Sequence, residues 1–153
     1  MPKILNSDIT KLITKYLSIR EHSKLELINK LSKKGFELND INESIHEFSL
    51  KNIQSDTRFT EEFLRSRVKK NKGPRLISSE LSSRGISESI ITSKIAEISV
   101  DTWQNHAHKA LIKKLKDTNL SIKDEDKIYS FLIGRGFDYK MIKYVIDEYK
   151  NEC

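Results

Sequence analysis

Turn-forming residues are scarce in this sequence, which has five glycines and two prolines in 153 residues. Sandwiches and barrels need a turn about every 8–12 residues, so this composition disfavours them. It also excludes collagen-like and low-complexity chains. Valine occurs only three times, whereas leucine, isoleucine, lysine, glutamate and serine are abundant. The composition therefore favours an all-α fold.

Cysteine and long apolar runs are also nearly absent. The one cysteine, Cys153, can form neither an internal disulfide nor a cysteine-based zinc site, which fits a reducing compartment. The opening sequence MPKILNSDITKL lacks the apolar core of a signal peptide, and no apolar run approaches the ~18 residues of a membrane span. We therefore expect a cytoplasmic protein.

Positive charge exceeds negative charge. Lysine and arginine number 28 against 22 acidic residues, which gives a formal net charge of +6. Charged residues make up 33% of the chain and hydrophobic residues 37%, whereas globular domains average about 25% and about 45–50%. These proportions suit an elongated or repetitive fold. The basic balance is compatible with nucleic acid or a nucleoprotein as partner, although many basic proteins bind neither.

Three segments of the chain align without gaps on a glycine. They are KLSKKGF, ELSSRGI and FLIGRGF, and their glycines are Gly35, Gly85 and Gly136. Each glycine follows a leucine by four positions and precedes isoleucines by six and ten. This spacing indicates a helix on each side of the glycine, which is typical of a helix C-terminus that needs a positive φ.

A further apolar helical stripe precedes each of these helix pairs, so the sequence predicts nine helices. We divide them into three-helix units at 1–50, 51–101 and 102–153. Because one unit cannot bury its apolar face alone, we expect the three to stack as tandem repeats into an elongated curved rod.

Several short motifs predict where these helices begin and end. A capping box is expected to open the second helix, a glycine–proline pair to end one helix and begin the next, and short polar residues to cap the helices after the repeat glycines. These motifs are Ser23 with Glu26, Gly73–Pro74, and the caps Asn39–Asp40, Ser87 and Asp138.

The densest run of positive charge is RSRVKKNKGPR, residues 65–75, with six basic residues in eleven and no acid. It predicts a phosphate-binding helix end and turn. The alternative is a solvated helix end whose cations favour the helix dipole. The same two interpretations apply to a smaller lysine cluster and to the arginines before two repeat glycines: Lys113, Lys114, Lys116, Arg84 and Arg135.

No pattern typical of an enzyme or a metal site is present. The motifs GxGxxG, GxxxxGK[ST], HExxH and GxSxG are absent. His106 and His108 point about 200° apart on a helix, so they share a metal poorly and we expect them to be exposed. The acidic run 124–126 lacks the alternating ligands and central glycine of a calcium loop. We therefore expect no catalysis, metal or cofactor.

The repeat blocks resemble the RecX family, regulators of the bacterial RecA recombinase. Tyr16–Phe36 is similar to the opening signature of the family, and Phe131–Ile146 is similar to its closing block. Ser55–Ile86 resembles its most characteristic block: an Asp-x-x-Phe start, a basic helix end, a glycine turn and a Glu-Leu pair. The chain differs at Ser55-Asp56, where the family commonly has two acids, and at Thr60, where it usually has alanine.

This resemblance implies a non-enzymatic inhibitor built of three tandem three-helix repeats. Such proteins bind RecA filaments on single-stranded DNA, reduce ATP hydrolysis and strand exchange, and limit filament growth. The implied partners are the RecA filament and single-stranded or double-stranded DNA, with no membrane, and we expect a monomer. The alternative is a helical-repeat protein that binds DNA or RNA directly, without a recombinase.

We predict that the contact with recombinase or DNA is made by the basic face of the second repeat. Two cations of the first repeat are expected to support it. We expect the side chains of Arg67, Lys69, Lys70 and Lys72 to be exposed, so that they can be reversed in charge without loss of folding. The predicted contact residues are Arg65, Arg67, Lys69, Lys70, Lys72, Arg75, Arg20 and Lys24.

Overall fold

The computed structural model describes residues 6–152, and within that range the regular secondary structure is entirely α-helical. This confirms the predicted all-α class. The helices in chain order are α1 (Ser7–Ile19), α2 (Lys24–Lys33), α3 (Leu38–Leu50), α4 (Asp56–Lys69), α5 (Pro74–Ser83), α6 (Glu88–Ala96), α7 (Val100–Asp117), α8 (Glu125–Gly134) and α9 (Tyr139–Glu152).

Most of the predicted helix starts are confirmed. Ser23 and Glu26 form the reciprocal capping box at the start of α2. The side chains of Ser87 and Asp138 each accept a hydrogen bond from the backbone N–H three residues later, at the starts of α6 and α9. Pro74 occupies the first position of α5, where its missing N–H costs no hydrogen bond.

One predicted cap is wrong. Asn39–Asp40 lie inside α3, which already begins at Leu38. Glu37 takes the N-cap position, and its side chain makes no capping hydrogen bond. A helix can begin one turn earlier than its best capping residue when the packing of its apolar face fixes the start, because capping contributes only about 1 kcal/mol.

The predicted end of α4 at Gly73 is also wrong. The helix ends at Lys69, and Asn71 takes the left-handed conformation with φ 58°. Asparagine tolerates this region better than most residues. Gly73 itself has φ −92° and is the N-cap of α5, so a different constraint, the close approach of another backbone described below, requires glycine there.

The three repeat glycines have the predicted positive φ, at 93° for Gly35, 79° for Gly85 and 103° for Gly136. In each turn the N–H after the glycine donates to the carbonyl of the leucine four residues before it, at 3.1–3.4 Å. This is the hydrogen-bond pattern of a Schellman helix end. The Leu-x-x-x-Gly-apolar motif therefore ends one helix and sets the direction of the next.

Three clusters of buried side chains follow the three helix triplets α1–α3, α4–α6 and α7–α9. Trp103 of α7 belongs to the middle cluster, and Met141 packs against both the middle and the last. The fully buried core includes Ile9, Ile13, Leu27, Leu31, Ile41, Ile77, Leu81, Leu111, Ile128, Leu132, Phe137 and Ile142. The core thus continues between the second and third triplets, as expected of stacked helical repeats.

Successive triplets are joined in the same way. The turn after the first helix of one triplet packs on the glycine turn of the next: the Ser23 hydroxyl donates to the Arg84 carbonyl at 2.8 Å, and the Gly73 N–H donates to the Arg135 carbonyl at 2.7 Å. A Cβ on Gly73 would lie 2.5 Å from the carbonyl carbon and oxygen of Gly136. Close backbone packing thus requires glycine at position 73.

The second triplet begins with α4 at Asp56, and the third triplet begins with α7 at Val100. The proposed unit limits after residues 50 and 101 stay predictions.

Candidate polyanion-binding surface

The predicted basic segment, residues 65–75, forms the end of α4, the turn after it and the start of α5. Its side chains differ in accessibility. Arg65, Lys69, Lys70 and Arg75 are exposed, whereas the side chains of Arg67 and Lys72 keep only 19% and 24% of their accessible area.

The two half-buried cations share a carboxylate. Arg67 Nε lies 3.4 Å from Glu80 Oε2, and Lys72 Nζ lies 3.7 Å from Glu80 Oε1. The Arg67 guanidinium also covers the Phe63 ring, 4.2 Å from its centroid. The expectation that the four cations at positions 67, 69, 70 and 72 are all exposed is therefore wrong for Arg67 and Lys72, because α5 brings an acid against a segment that contains none.

The two supporting cations of the first triplet lie near the α1–α2 turn. Arg20 forms a two-pronged contact with the Glu26 carboxylate, 3.0 Å on each side. Although burial opposes it, hydrogen bonds from Arg20 and from the Ser23 N–H lower the pKa of Glu26. Lys24 is exposed, and its backbone N–H donates to the Asp56 carboxylate at 2.9 Å. Arg20 is thus engaged within the protein, whereas the Lys24 ammonium faces solvent.

A groove lies beside each junction between triplets, and we call the one between the first and second triplets the first groove. Its volume is about 250 Å³. Three cations and three acids line it, so its formal charge balances. These residues are Arg20, Arg67, Arg84, Glu21, Glu26 and Glu62.

The second groove lies between the second and third triplets, has a volume of about 600 Å³ and is strongly basic. Its single acid is Asp117. Within the described residues, five of its six cations form no ion pair, and Lys72 is the exception. The six cations are Lys69, Lys70, Lys72, Lys113, Lys114 and Arg135.

Arg135 closes one wall of the second groove. Its Nη2 donates to the Lys70 carbonyl at 2.7 Å, while its Nε is buried and has no hydrogen-bond partner in the described structure. Phe131 lies beneath two cations, with Lys114 Nζ 4.6 Å and Arg135 Cζ 5.9 Å from the ring centroid. The Phe131 ring thus makes cation–π contacts with two cations of the groove wall.

The fold joins two basic clusters that are separate in sequence. Lys69 and Lys70 lie on one side of the second groove, and Lys113 and Lys114 of α7 lie on the other. Lys116, the third member of the α7 cluster, is exposed but does not line the groove. In the sequence, the 51-residue spacing of the repeats is the one feature that relates Lys113 and Lys114 to a groove, because it aligns them with residues that line the first groove.

A histidine fixes the turn that carries Lys69 and Lys70. His106 Nδ1 lies 2.8 Å from Asn71 Oδ1, and because an amide oxygen can only accept, Nδ1 carries the proton. Burial, and then the charge of Lys109, lower the pKa of His106. The expectation that both histidines are exposed is wrong: His106 and His108 are half-buried, and the hydrogen-bond partner of His106 lies 35 residues earlier in the chain.

Among residues 6–152 no group of three His, Cys, Asp or Glu side chains is arranged to hold a metal ion. In the same range no helix combines the length and apolar character that crossing a membrane requires. Cys153 lies outside the described residues.

Models of one protein family match two parts of the chain. Residues 14–48 match the first three-helix domain of RecX, and residues 55–93 match its second three-helix domain. The matched ranges end within α3 and α6 and cover the two junction turns with Ser23 and Gly73.

Curated relatives and solved structures agree with these matches. Regulatory protein RecX of Legionella pneumophila strain Corby is 38% identical over 136 residues, 88% of this chain and 90% of that protein. The protein of the same name from Haemophilus influenzae strain PittEE is 38% identical over 128 residues, 82% and 84% of the two chains.

The crystal structure of RecX from Lactobacillus salivarius shares the fold at a TM-score of 0.80, with 23% identity, 93% of this chain and 94% of that chain covered. A second crystal structure of regulatory protein RecX gives a TM-score of 0.84 over 92% of this chain and 72% of that chain, at 19% identity. The resemblance noted in the repeat blocks is confirmed, and the chain belongs to the RecX family.

Proposed function

We propose that this protein binds RecA recombinase filaments on single-stranded DNA and inhibits ATP hydrolysis, strand exchange and filament growth. One observation carries the proposal: five cations that form no ion pair within residues 6–152 line a groove between two units of a RecX-family rod. The relatives are named regulatory proteins, which supports a role in binding and not in catalysis. The protein then acts in the cytoplasm, as a monomer.

A rod of stacked units suits a filament, because successive units can contact successive protomers. Such contacts inhibit only if the protein binds one filament state more tightly than the others, since equal affinity shifts no equilibrium. The rod therefore opposes the rearrangement that accompanies ATP hydrolysis.

The structure divides the predicted contact residues into two groups. Arg20, Arg67 and Lys72 are held in internal ion pairs, so their removal would disturb the fold as well as a contact. The other five are exposed and are the contact residues of this proposal: Arg65, Lys69, Lys70, Arg75 and Lys24.

The test is a titration of this protein into a RecA recombinase that hydrolyses ATP on single-stranded DNA. The parent should inhibit, and Lys69→Glu with Lys70→Glu should need about tenfold more protein for half-inhibition, since each reversal turns an attraction into a repulsion. The matched control is Lys33→Glu with Lys34→Glu. These exposed lysines hold the same two positions at the end of α2.

The protein concentration that the control variant needs for half-inhibition should stay within about twofold of that of the parent. No inhibition by the parent would refute the proposed function. Equal weakening of both variants would show that net charge acts, and not this surface.

The second candidate function is direct binding of DNA or RNA without a recombinase. The lysine-rich second groove favours it, because such a surface attracts phosphates by itself. Affinity for the filament and for naked DNA discriminates the two functions. The leading proposal requires tighter binding to the filament.

A further inference from the structure

We infer that the first groove is a docking site for a protein segment that carries a carboxylate beside a basic side chain. Arg84 receives the carboxylate, and Glu62 receives the cation. The inference goes beyond the proposed function, because none of the five contact residues of that proposal lines this groove. It rests on the proposed function only in taking a RecA protomer as the protein that carries the segment.

Two opposite charges of the first groove have no ion-pair partner within residues 6–152, and they belong to Arg84 and Glu62. The other four charged residues of the lining are held in ion pairs of the protein itself. These pairs are Arg20–Glu26, Glu21–Arg58 and Arg67–Glu80. A ligand that complements the two remaining charges therefore carries one charge of each sign.

The Arg84 guanidinium is held in place and still has donors for a ligand. Its Nη1 donates to the Glu80 carbonyl at 3.0 Å, and its Cζ lies 4.7 Å from the centroid of the Phe63 ring. An arginine has five N–H donors in one plane, and two parallel donors match the two oxygens of a carboxylate. Because the side chain is already ordered, binding costs it little rotamer freedom.

The equivalent arginine of the second groove is less available. Arg135 donates through Nη2 to the Lys70 carbonyl, and its Nε is buried. None of the side-chain nitrogens of Arg84, by contrast, is a buried atom without a hydrogen-bond partner in the described structure, and Nη1 alone donates within it. The remaining donors of Arg84 are thus accessible from the groove.

The composition of the first groove favours a protein ligand. Its cations are all arginines, its floor is aromatic and it has no lysine. Arginine and aromatic residues are enriched in protein interfaces, where lysine is depleted. A strand of phosphates fits less well, because it brings negative charge against Glu62 and has no cation to offer it.

The lining of the groove comes from two triplets. Arg20 and Glu26 belong to the first triplet, and Glu62 and Arg84 belong to the second. The volume of about 250 Å³ is below the roughly 300–1,000 Å³ of small-molecule sites, so the groove is better suited to side chains of a larger partner. A protein docked there would contact both triplets at once.

The experiment measures the affinity of this protein for RecA recombinase by biolayer interferometry, with the recombinase free and then assembled on oligothymidylate. Arg84→Lys keeps the charge but loses the two-pronged contact, so binding should weaken by about tenfold. The matched control is Arg65→Lys, which makes the same change at an exposed arginine outside the groove. It should stay within about twofold of the parent, because a contact that depends on charge alone tolerates lysine.

A second variant tests the other charge of the groove. Glu62→Gln should weaken binding to the recombinase by about threefold, since it removes the partner of the basic side chain. Circular dichroism should show unchanged helix content in all variants. If Arg84→Lys loses helix content, Glu62→Gln decides the test, because Glu62 is exposed and its carboxylate forms no ion pair within the described residues.

Affinity for a fluorescein-labelled oligothymidylate, measured by anisotropy over a range of salt, separates a protein ligand from a nucleic acid. Arg84→Lys should leave this affinity within about twofold and should leave the salt slope, the change of log affinity with log salt concentration, unaltered, because the charge is kept. If Arg84→Lys weakened binding to the oligonucleotide as much as binding to the recombinase, the ligand of the groove would be a nucleic acid, and the inference would be overturned.

Two further outcomes would overturn the inference. One is equal affinity of the parent, Arg84→Lys and Glu62→Gln for the recombinase. The other is an equal loss in Arg84→Lys and Arg65→Lys, which would show that lysine replaces arginine poorly anywhere on this surface.

The proposed function fails separately from this inference. A parent protein that binds the recombinase through Arg84 but does not inhibit ATP hydrolysis keeps the docking site and loses the proposed function. A parent protein that inhibits, while Arg84→Lys and Glu62→Gln bind and inhibit equally well, keeps the proposed function and loses the docking site.

Discussion

The two grooves occupy equivalent places in the rod but differ in charge. Both lie beside a junction, and Arg84 and Arg135, which are 51 residues apart, occupy the same position in them. The first groove balances three cations with three acids, whereas the second has six cations and one acid. The repeat therefore builds the groove, and a few side chains decide its charge.

The spacing of 51 residues shows which substitutions make the difference. Glu62 of the first groove corresponds to Lys113 of the second, and Glu80, which pairs with Arg67, corresponds to Phe131. The aromatic ring moves as well, since Phe63 corresponds to Lys114. In both grooves a ring lies beneath the arginine before the glycine, but it comes from the first helix of one triplet and the second helix of the other.

The junctions behind the grooves also differ. At the first junction a Cβ on Gly85 would meet the Leu25 side chain, at 2.7 Å from its Cβ. At the second a Cβ on Gly136 would lie 2.6–2.7 Å from Leu76 Cβ and from backbone atoms of Gly73 and Leu76. Side chains can shift more easily than two backbones held together by hydrogen bonds, so the second junction should tolerate change least.

The largest effect is therefore expected from Gly136→Ala. Both Gly136 and Gly35 have positive φ, but a Cβ on Gly35 would have no atom of the described residues within 4 Å. Gly35→Ala should cost about 1 kcal/mol of unfolding free energy from the strained backbone alone. Gly136→Ala should cost about 2 kcal/mol more, since overpacking adds roughly 1–3 kcal/mol.

Urea unfolding followed by circular dichroism measures both losses. Because Gly35→Ala carries the same backbone strain, the difference between the variants reports the packing at the second junction. Equal losses would show that the junction opens without cost, and the groove beside it could not be a preformed site.

The sequence predicts those features of the fold that depend on local chemistry. The glycine turns, the capping box at Ser23 and the helical stripes need only a few neighbouring residues, and they are confirmed. The end of α4 is predicted wrongly, because Asn71 and not Gly73 takes the left-handed conformation. Glycine is required at position 73 by the close backbone of Gly136, which is remote in sequence.

For the same reason, only part of the candidate site can be predicted from the sequence. The run at 65–75 is evident as charge, but Glu80 pairs two of its members only after α5 packs against α4. Lys113 and Lys114 join the exposed members only after the third triplet stacks on the second. Pairing and assembly of charges across junctions are properties of the stacked rod and leave no local signal.

A smaller effect is expected when the first groove is made to resemble the second. Glu62 is exposed and forms no ion pair within the described residues. Glu62→Lys places the lysine of position 113 at its equivalent in the first groove. Affinity for an oligothymidylate should rise by roughly threefold, and the salt slope should steepen by at most about 0.7, the share of one phosphate.

Glu152→Lys is the matched control, because it makes the same charge change at an exposed position of α9 outside both grooves. Anisotropy titrations should show a smaller gain for it. A gain as large as that of Glu62→Lys would mean that the oligonucleotide responds to net charge and that the two grooves do not differ as binding sites.

The smallest effect concerns pH, because each junction contains a histidine whose pKa is lowered by burial. His22 is 1% exposed at the first junction; its Nδ1–H donates to the Arg20 carbonyl, and its Nε2 accepts from Lys30 Nζ at 2.8 Å. Burial is the main cause that lowers the pKa of His22 below 6.5, as it does for His106 at the second junction.

A lowered pKa means that the unfolded chain binds these protons more readily than the folded protein does. The stability that the two histidines contribute is thus complete above pH 6.5, the ordinary histidine value, and is lost as pH falls through their lowered pKa values. The melting temperature should drop between about pH 7.5 and about pH 5.5.

His22→Gln should reduce this drop more than His106→Gln, because His22 is buried whereas His106 is half-buried. His46→Gln, at an exposed position of α3, is the control and should leave the drop unchanged. If His106→Gln had the larger effect, the second junction would be the pH-sensitive one, and protonation there would release the Asn71 turn that carries the lysines of the second groove.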